Sequence, residues 1–280
     1  MTMTVGKYLK RIAYDGPLGT DLATLRALHQ AHLRAIPYEN LDVQLGNPVT
    51  IAVPAIYEKI VERGRGGWCF EMNGLFGWAL GELGFSVTRS AAGVMREALG
   101  QNAVGNHLVL KVELDEGLYM GDVGFGDGPL EPIRITEGAF LSQGFTFNLS
   151  LIEGGWWRLR NHEGGGAASF DFDLAPADES LLETKCAWLQ TAPQSLFVQN
   201  AVVQRHVEDG LWILRGRVLR HLRPADRTDY LIADEGEYRD ALRRFFDLDL
   251  PEATQLWPKI CARHDVTLAE QAAKAAAKPA

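Results

Sequence analysis

The spacing of apolar residues changes at Gly84, and this change restricts the fold more than any other feature. Before Gly84, apolar side chains recur every three or four residues, which places them along one face of a helix. After Gly84, apolar and polar residues alternate, or form short β-branched runs, between glycine-containing turns. Since the two periods suit different structures, we expect a helical first third followed by an antiparallel sheet or barrel.

Three segments of the first third have helical spacing. Residues 20–36 open with a Thr/Asp cap, carry apolar side chains on one face and stop before Pro37. Residues 54–63 start with a proline, which suits the first turn of a helix. Residues 69–83 carry an apolar stripe, and Gly84 stands where a left-handed C-cap would. We expect a helix in each segment.

The remainder of the chain is dominated by strand patterns. The middle third has them at 85–95, 107–114, 118–126, 147–161 and 168–174. The last third is mixed, with a strand or hairpin at 211–222, a helix at 236–246 and a possible helix at 251–260.

Composition narrows the class of protein. The chain has 280 residues, of which 46% are hydrophobic and 23% are charged, so we expect one compact protein of two or three subdomains. The net charge of −8, from 28 basic and 36 acidic residues, disfavours nucleic acid as a partner. Apolar runs are too short to span a bilayer, so we expect no membrane partner. Residues 1–16 lack the apolar core of a signal peptide, and we therefore expect a cytoplasmic location.

The cysteines and histidines do not predict a disulfide framework or a metal site. The chain has three widely spaced cysteines and no CxxC pair, and this pattern suits a reducing compartment. His29 and His32 have a spacing that a metal could use, but no third ligand motif completes the set. Apart from Cys69 and His107, we expect cysteines and histidines to be structural or on the surface.

Cys69 is the residue whose surroundings most favour reactivity. It follows a glycine pair in RGRGGWCFEMNGLF, residues 63–76, and begins a predicted helix. The positive end of a helix dipole favours thiolate over thiol, so we expect a lowered pKa for Cys69. The glycines also allow close backbone approach, which can leave N–H groups free for an oxyanion. The alternative is that Cys69 packs as a small buried apolar residue.

A nucleophilic cysteine needs a histidine base and a group that orients the histidine. His107 starts one predicted strand and Asp122 ends the next, so a hairpin could place them side by side. A turn about residues 114–115 sets them directly opposite each other. The more turn-like residues 115–117 shift the register by about three residues, which a bulge or longer loop would have to correct. Each residue alone is also compatible with a structural role.

Several motifs, taken together, resemble the arylamine N-acetyltransferase family of bacterial type. The strongest are RGGWCFEMN at 65–73, HLVLKV at 107–112 and DVGFG at 122–126. Three further segments agree: YLKRI at 8–12, IPYENLDV at 36–43 and APQSLF at 192–197. The resemblance covers most of the chain and is weakest in the last third.

The resemblance implies an α+β fold of three domains. Residues 1–85 would form a helical bundle that carries the nucleophile, and residues 86–190 a central antiparallel β-barrel that carries His and Asp. Residues 191–280 would form an α/β lid. The catalytic core would be the Cys-His-Asp arrangement that is similar to papain-like enzymes and transglutaminases.

The resemblance also implies a ping-pong reaction. Acetyl-coenzyme A would acetylate Cys69, and an arylamine, arylhydrazine or arylhydroxylamine would then take the acetyl group, as in xenobiotic metabolism. His107 would act as general base and acid, and Asp122 would orient and charge His107. Acetyl-coenzyme A would be a cosubstrate, with no cofactor bound permanently.

Other positions match family residues near the site. Four side chains would form walls of the acceptor pocket: Tyr38, Val94, Phe125 and Phe197. Tyr38 stands where Phe is more usual, and Trp68 stands where Tyr is frequent, which could change the acceptor size that the pocket prefers.

Three further matches lie beneath or beside the site. Arg65 and Glu39 match a structural ion pair, and a satisfied buried pair is also the simplest interpretation of these two residues. Asn73 lies one helical turn after Cys69, where it either orients the active-site loop or bonds locally. The residues that bind coenzyme A, the physiological acceptor and the oligomeric state are not predicted.

Other functions remain open at this point. A related cysteine acyltransferase, or an amide or thioester hydrolase, would need the same three residues. A scaffold protein that has lost activity would keep the fold, although the retention of all three residue types argues against it.

Overall fold

The computed structural model describes residues 2–276. Its α-helices are α1 (Val5–Arg11), α2 (Leu22–Ala35), α3 (Leu41–Leu45), α4 (Val53–Tyr57), α5 (Cys69–Glu82), α6 (Arg96–Leu99), α7 (Glu179–Thr191), α8 (Leu196–Gln199), α9 (Glu235–Phe246) and α10 (Trp257–Ala276). A π-helical turn follows α4 at Glu58–Glu62, and 3-10 turns lie at Gly100–Ala103, Glu153–Gly155 and Pro251–Leu256.

Strands are concentrated in the middle and last thirds of the chain. They are β1 (Tyr38–Glu39), β2 (Ser86–Val94), β3 (His107–Leu114), β4 (Gly117–Gly121), β5 (Ile133–Arg134), β6 (Gly138–Ser142), β7 (Phe145–Ile152), β8 (Trp156–Arg160), β9 (Ser169–Phe172), β10 (Val202–Val207), β11 (Gly210–Arg215), β12 (Val218–Leu222) and β13 (Arg227–Leu231). The chain therefore has the α+β class that the sequence predicted.

The helices of the first third follow the predicted local signals. Asp21 caps α2 by accepting a hydrogen bond from the N–H of Thr24 at 2.8 Å. Helix α5 begins at Cys69, and Gly84 has the left-handed conformation expected beyond its end, with φ of +93°. The predicted helix at 54–63 is instead α4 followed by the wider π-helical turn.

The larger sheet has eight antiparallel strands in the order β5-β4-β3-β2-β9-β8-β7-β6. It curls into a half-barrel, whereas the sequence analysis expected a barrel. Strand β5 at one edge has only two residues, so it offers few backbone groups for pairing across the open side.

The smaller sheet has the order β1-β10-β11-β12-β13, and its first strand comes from the helical first third. Tyr38 pairs with Gln204 and Glu39 pairs with Val203. Asn40 strengthens this connection, since its side chain donates to the carbonyl oxygen of Asn200 at 2.8 Å. The last third of the chain is therefore joined by hydrogen bonds to the segment that precedes the α5 region.

Helix α7 is an element that the sequence analysis missed. It lies within residues 86–190, the range that the resemblance assigns to the β-barrel, and after the last predicted strand pattern. Its apolar face is short, with Leu182, Cys186 and Leu189 buried. These side chains join a core cluster with Trp68 and Cys69, so α7 helps to cover the start of α5. In residues 2–276, none of the helices is long and apolar enough to cross a membrane.

Candidate active site

The segment before Cys69 runs alongside residues 37–39 in extended conformation. The N–H of Glu39 donates to the carbonyl oxygen of Gly67 at 2.9 Å, and the N–H of Gly67 donates to that of Pro37 at 3.3 Å. A side chain at Gly66 would overlap the carbonyl oxygen of Pro37, so only glycine fits there. The Gly67 N–H is thus not free for an oxyanion, and the glycine pair serves to position the start of α5.

A buried cluster of charges lies under this segment. Arg65 contacts Glu39 at 2.8 Å and Asp42 at 3.4 Å, while Lys59 contacts Asp42 at 2.8 Å and Glu71 at 2.9 Å. All five residues are buried. The sequence analysis singled out only Arg65 and Glu39, because the five residues lie on separate segments and no local pattern shows that their side chains meet.

The charge cluster also fixes the first turn of α5. One carboxylate oxygen of Glu71 accepts a hydrogen bond from the N–H of Trp68 at 3.1 Å, and both oxygens accept from Lys59 at 2.9 Å. Burial raises the pKa of Glu71 to about 7, although Lys59 offsets part of this effect. Burial alone would lower the pKa of Lys59, but the surrounding carboxylates raise it. With three carboxylates facing two cations, Glu71 is the group that takes up a proton near neutral pH.

The β3–β4 hairpin brings His107 and Asp122 together. Leu114 pairs with Gly117, so the turn is centred between the two positions that the sequence analysis considered. Pairing ends at Gly121, and Asp122 does not stand directly opposite His107. Because the chain leaves the ladder there, Oδ2 of Asp122 reaches Nε2 of His107 at 2.8 Å, with both side chains buried.

This hydrogen bond determines the tautomer of the histidine. An ionised carboxylate only accepts hydrogen bonds, so Nε2 of His107 carries a proton and the lone pair of the neutral ring lies on Nδ1. Burial alone would raise the pKa of Asp122, but His107, Asn73 and the N–H of Gly124 together lower it. Asp122 is therefore a carboxylate at neutral pH, and it can stabilise a protonated His107.

Asn73 holds the two strands together where the ladder ends. Its amide group donates to the carbonyl oxygen of Leu108 at 2.6 Å and to Oδ1 of Asp122 at 2.7 Å. Its oxygen accepts from the N–H of Val123 at 2.9 Å. The side chain thus replaces missing ladder bonds and orients Asp122, which is the first of the two roles that the sequence left open.

His29 is a positioning residue that the sequence analysis treated as structural or surface. Nδ1 lies 2.9 Å from the carbonyl oxygen of Leu130, and Nε2 accepts the N–H of Asp122 at 3.2 Å. Burial lowers the pKa of His29 to about 4, despite the partial opposing effect of Leu130 and Asp122. The ring is therefore neutral at pH 7 and can both donate and accept, which fixes the backbone at Asp122. No sequence motif indicated this contact.

Cys69 is the first residue of α5 and is 3% exposed. The predicted lowering of its pKa is wrong for this structure. Burial raises the pKa of the thiol well above its usual value, and the N–H of Phe70 at the helix start offsets only part of that effect. The helix terminus alone thus does not produce a thiolate, and Cys69 needs a proton acceptor.

A cavity of about 960 Å³ contains both Cys69 and His107 in its walls. The four predicted pocket residues line the same cavity: Tyr38, Val94, Phe125 and Phe197. The ring of Phe125 lies 5.7 Å from that of His107, and the ring of Phe197 lies 5.1 Å from that of Trp68, between centroids. The predicted nucleophile, the predicted base and the four predicted pocket residues therefore line one cavity.

Gly124 explains why the loop after Asp122 is rich in glycine. A Cβ atom at this position would lie 2.7 Å from the Cα atom of Cys69. The N–H of Gly124 donates to Oδ1 of Asp122 at 2.8 Å. The loop can therefore pass directly over the start of α5 while it bonds to the carboxylate.

Asp127 is a further buried residue of the cavity that the sequence analysis missed. It accepts hydrogen bonds from the side chain of Asn161 at 3.1 Å and from the N–H of Gly166. Burial raises the pKa of Asp127, although these contacts partly offset the change. It anchors the loop between β8 and β9, whose residues Gly164 and Gly166 also line the cavity. Across residues 2–276, no cluster of three His, Cys, Asp or Glu side chains has the arrangement of a metal site.

Comparison with known proteins agrees with the motifs around this cavity. The family model described as N-acetyltransferase matches residues 21–255. An arylamine N-acetyltransferase from Mycolicibacterium smegmatis is 35% identical over 267 residues, with 89% of this chain and 94% of the relative covered. The chain belongs to the arylamine N-acetyltransferase family, a family of acyltransferases.

Other members of the arylamine N-acetyltransferase family agree in sequence and in structure. The Escherichia coli enzyme is 36% identical over 220 residues, which cover 75% of each chain. The structure of the Mycobacterium marinum enzyme in complex with CoA has a TM-score of 0.83 at 30% identity, with 93% of this chain and 98% of that chain covered. The similarity to this solved structure therefore extends over nearly the whole chain.

The charge cluster predicts a pH effect on stability. Glu71 has a pKa of about 7 in the folded chain against an ordinary 4.5, so its contribution to stability is full below pH 4.5 and is lost as the pH rises through 7. As the pH rises over that range, the free energy of unfolding of wild type should fall by up to about 3 kcal/mol relative to that of Glu71→Gln. Urea unfolding at pH 5, 6, 7 and 8 measures the difference.

The exposed residue Glu208 provides a matched control as Glu208→Gln, which removes the same charge outside the cluster. A free-energy difference between wild type and Glu71→Gln that stays constant over this pH range would contradict the account of the cluster.

Proposed function

We propose that this protein transfers an acetyl group from acetyl-coenzyme A to an arylamine, arylhydrazine or arylhydroxylamine through a thioester on Cys69. One observation carries the proposal: Cys69 and His107 line a single cavity, and the ring of His107 is hydrogen-bonded to the Asp122 carboxylate. The complex of the M. marinum relative with CoA supports coenzyme A as the carrier of the acetyl group.

In the first half-reaction, Nδ1 of His107 takes the proton of the Cys69 thiol. The thiolate attacks the carbonyl carbon of acetyl-coenzyme A, and the bond from that carbon to the coenzyme A sulfur breaks. The imidazolium ion protonates the departing sulfur, so coenzyme A leaves as a free thiol. Asp122 stabilises the imidazolium while it exists.

In the second half-reaction, the amine nitrogen attacks the acetyl carbon on Cys69. Nδ1 of His107 accepts the proton that the nitrogen loses, and the carbon–sulfur bond to Cys69 breaks. Cys69 then regains its proton from His107, which restores the starting state. The aromatic walls formed by Phe125 and Phe197 suit a flat aromatic acceptor.

All three cysteines, including Cys69, are free thiols. A reducing compartment keeps such thiols available, which supports the cytoplasm as the proposed location.

Intact-protein mass spectrometry tests the acyl-enzyme. Mixing the protein with acetyl-coenzyme A and no amine should add one acetyl group, which peptide mapping places on Cys69. Addition of 4-methoxyaniline should remove that group and form the N-acetyl amine. Cys69→Ser should show no adduct, because the hydroxyl is far less acidic than the thiol, whereas the matched control Cys261→Ser should be acetylated like wild type.

An adduct on a residue other than Cys69 would contradict the mechanism. Steady loss of acetyl-coenzyme A to acetate, with no transfer to amine, would favour a thioester hydrolase instead. An adduct that forms only with longer acyl thioesters would favour a related acyltransferase.

The carboxylate of Asp122 makes a second prediction. In Asp122→Asn, the side-chain oxygen should stay with the Asn73 and Gly124 donors, so the NH₂ group faces Nε2 of His107. Nε2 must then accept, which moves the ring proton to Nδ1 and removes the base for Cys69. Acetylation of Cys69 should slow about 10²- to 10⁴-fold.

Stopped-flow acylation by p-nitrophenyl acetate measures this rate. Asp173→Asn, in the loop after β9, is the matched control and should acylate at the wild-type rate. If Asp122→Asn were as fast as wild type, the carboxylate would have no role in orienting His107.

A further inference from the structure

The loop between β8 and β9 has a glycine tip, residues 164–167, that forms part of the cavity wall. Gly164, Gly165, Gly166 and Ala167 all line the cavity, and none of the four is buried. Three consecutive glycines have wide conformational freedom, so such a tip keeps one shape only where other groups hold it. The position of this part of the wall therefore depends mainly on hydrogen bonds.

The two ends of the same loop are held more firmly than its tip. The N–H of Asn161 donates to the carbonyl oxygen of Ala168 at 2.9 Å, which closes the base of the loop. The ring of His162 is buried, and its centroid lies 4.4 Å from that of Phe145 and 5.3 Å from that of Phe147. Movement of the loop is thus confined to the glycine tip.

The carboxylate of Asp127 is the anchor of the glycine tip. One oxygen accepts a hydrogen bond from the N–H of Gly166, and the other accepts from the side-chain amide of Asn161 at 3.1 Å. Since both oxygens accept, the group bonds as an ionised carboxylate does. In the part of the chain that the structure describes, the Gly166 bond is the only hydrogen bond between the glycine tip and a residue outside 161–168.

The proposed reaction does not use Asp127, although its burial is costly. The side chain is 2% exposed, and burial raises the pKa of this carboxyl, which its N–H donors offset only in part. A carboxylate that is buried without taking part in the chemistry is best explained by the groups that it holds. For Asp127 these groups are Asn161 and the glycine tip.

Asp127 also joins the glycine tip to the wall beside the reactive centre. It lies two residues after Phe125, on the loop that follows Asp122. The ring of Phe125 lies 5.7 Å from that of His107 and 4.8 Å from that of Phe170, between centroids. One anchor therefore connects the glycine tip with the aromatic wall next to the base.

We propose that Asp127 is a positioning residue of the acceptor step, which holds the glycine tip as a fixed wall and thereby disfavours bulky arylamines as acceptors for acetylated Cys69. This inference rests on the proposed function for its substrate. A fixed wall penalises a bulky acceptor more than a small one, whereas a loose wall moves aside for either. Asp127 thus influences which acceptor is used and takes no part in bond making.

Hydrogen exchange and acceptor kinetics together test this role. In Asp127→Ala the N–H of Gly166 loses its acceptor, so peptides that contain residues 164–167 should exchange faster than in wild type. The kcat/KM for 4-phenoxyaniline, divided by that for the smaller 4-methoxyaniline, should rise about 3- to 10-fold. Most of the change should lie in KM for the bulky amine, because Asp127 does not touch the reacting atoms.

Asn161→Ala loosens the same anchor by a second route. It removes the other hydrogen bond of the carboxylate, and also the bond from Asn161 to the carbonyl oxygen of Ala167 at 3.0 Å. It should change exchange and the acceptor ratio in the same direction as Asp127→Ala. Because both act through one anchor, the double variant D127A/N161A should change the ratio by less than the product of the single changes.

Asp173→Ala is the matched control. Its carboxylate also accepts a backbone N–H, that of Ala175 at 3.1 Å, but it does not line the cavity. This variant should match wild type in the exchange of residues 164–167 and in the acceptor ratio.

An acceptor ratio that stays at the wild-type value in Asp127→Ala would overturn the proposal, and so would an equal fall in kcat/KM for both amines. Unchanged exchange of residues 164–167 would overturn the anchor itself. Failure of the proposed function is a separate result, in which wild type acetylates neither amine. The rates at which N-methylmaleimide and the larger N-phenylmaleimide alkylate Cys69 need no turnover. The ratio of the larger to the smaller reagent should rise in Asp127→Ala, and an unchanged ratio would again overturn the proposal.

Discussion

The hydrogen bond of 2.8 Å between Nε2 of His107 and Oδ2 of Asp122 is the interaction on which the site depends. It fixes which ring nitrogen is basic, and it places a carboxylate where an imidazolium must form. Much of the surrounding structure serves to hold Asp122 outside the regular ladder. Asn73 and the Gly124 N–H bond to its carboxylate, and His29 bonds to its backbone. Because each contact comes from a different segment, the bond depends on the packing of α2 and α5 against the sheet.

Burial of Cys69 makes this arrangement necessary. A buried thiol with a raised pKa is a poor nucleophile by itself, so reaction requires transfer of its proton to a nearby base. The chain therefore needs accurate positioning of the start of α5. The start of α5 is held from below by the charge cluster of Lys59, Arg65, Glu39, Asp42 and Glu71. The close glycine contacts hold it from either side. The cost of burying these charges is offset by their mutual pairing.

The sequence predicted the features that local patterns encode. Apolar spacing located α2, α5 and the β3–β4 hairpin, and the motif around Cys69 identified the candidate nucleophile. Features that depend on distant contacts were not predicted: the offset of Asp122 from His107 and the contact from His29. The pKa of Cys69 was predicted in the wrong direction, since a helix terminus is visible in sequence whereas the depth of burial is not. Helix α7 was missed because its short apolar face gives a weak period.

The pH dependence of Cys69 alkylation tests most directly the claim that His107 activates the thiol. The rate of carboxamidomethylation by iodoacetamide, resolved for Cys69 by peptide mapping, should be substantial at pH 7 in wild type, because His107 accepts the thiol proton. In His107→Gln, the rate at pH 7 should fall at least about 100-fold and rise steadily with pH, because the isolated buried thiol has a raised pKa. Equal rates with the same pH profile in both proteins would contradict the account.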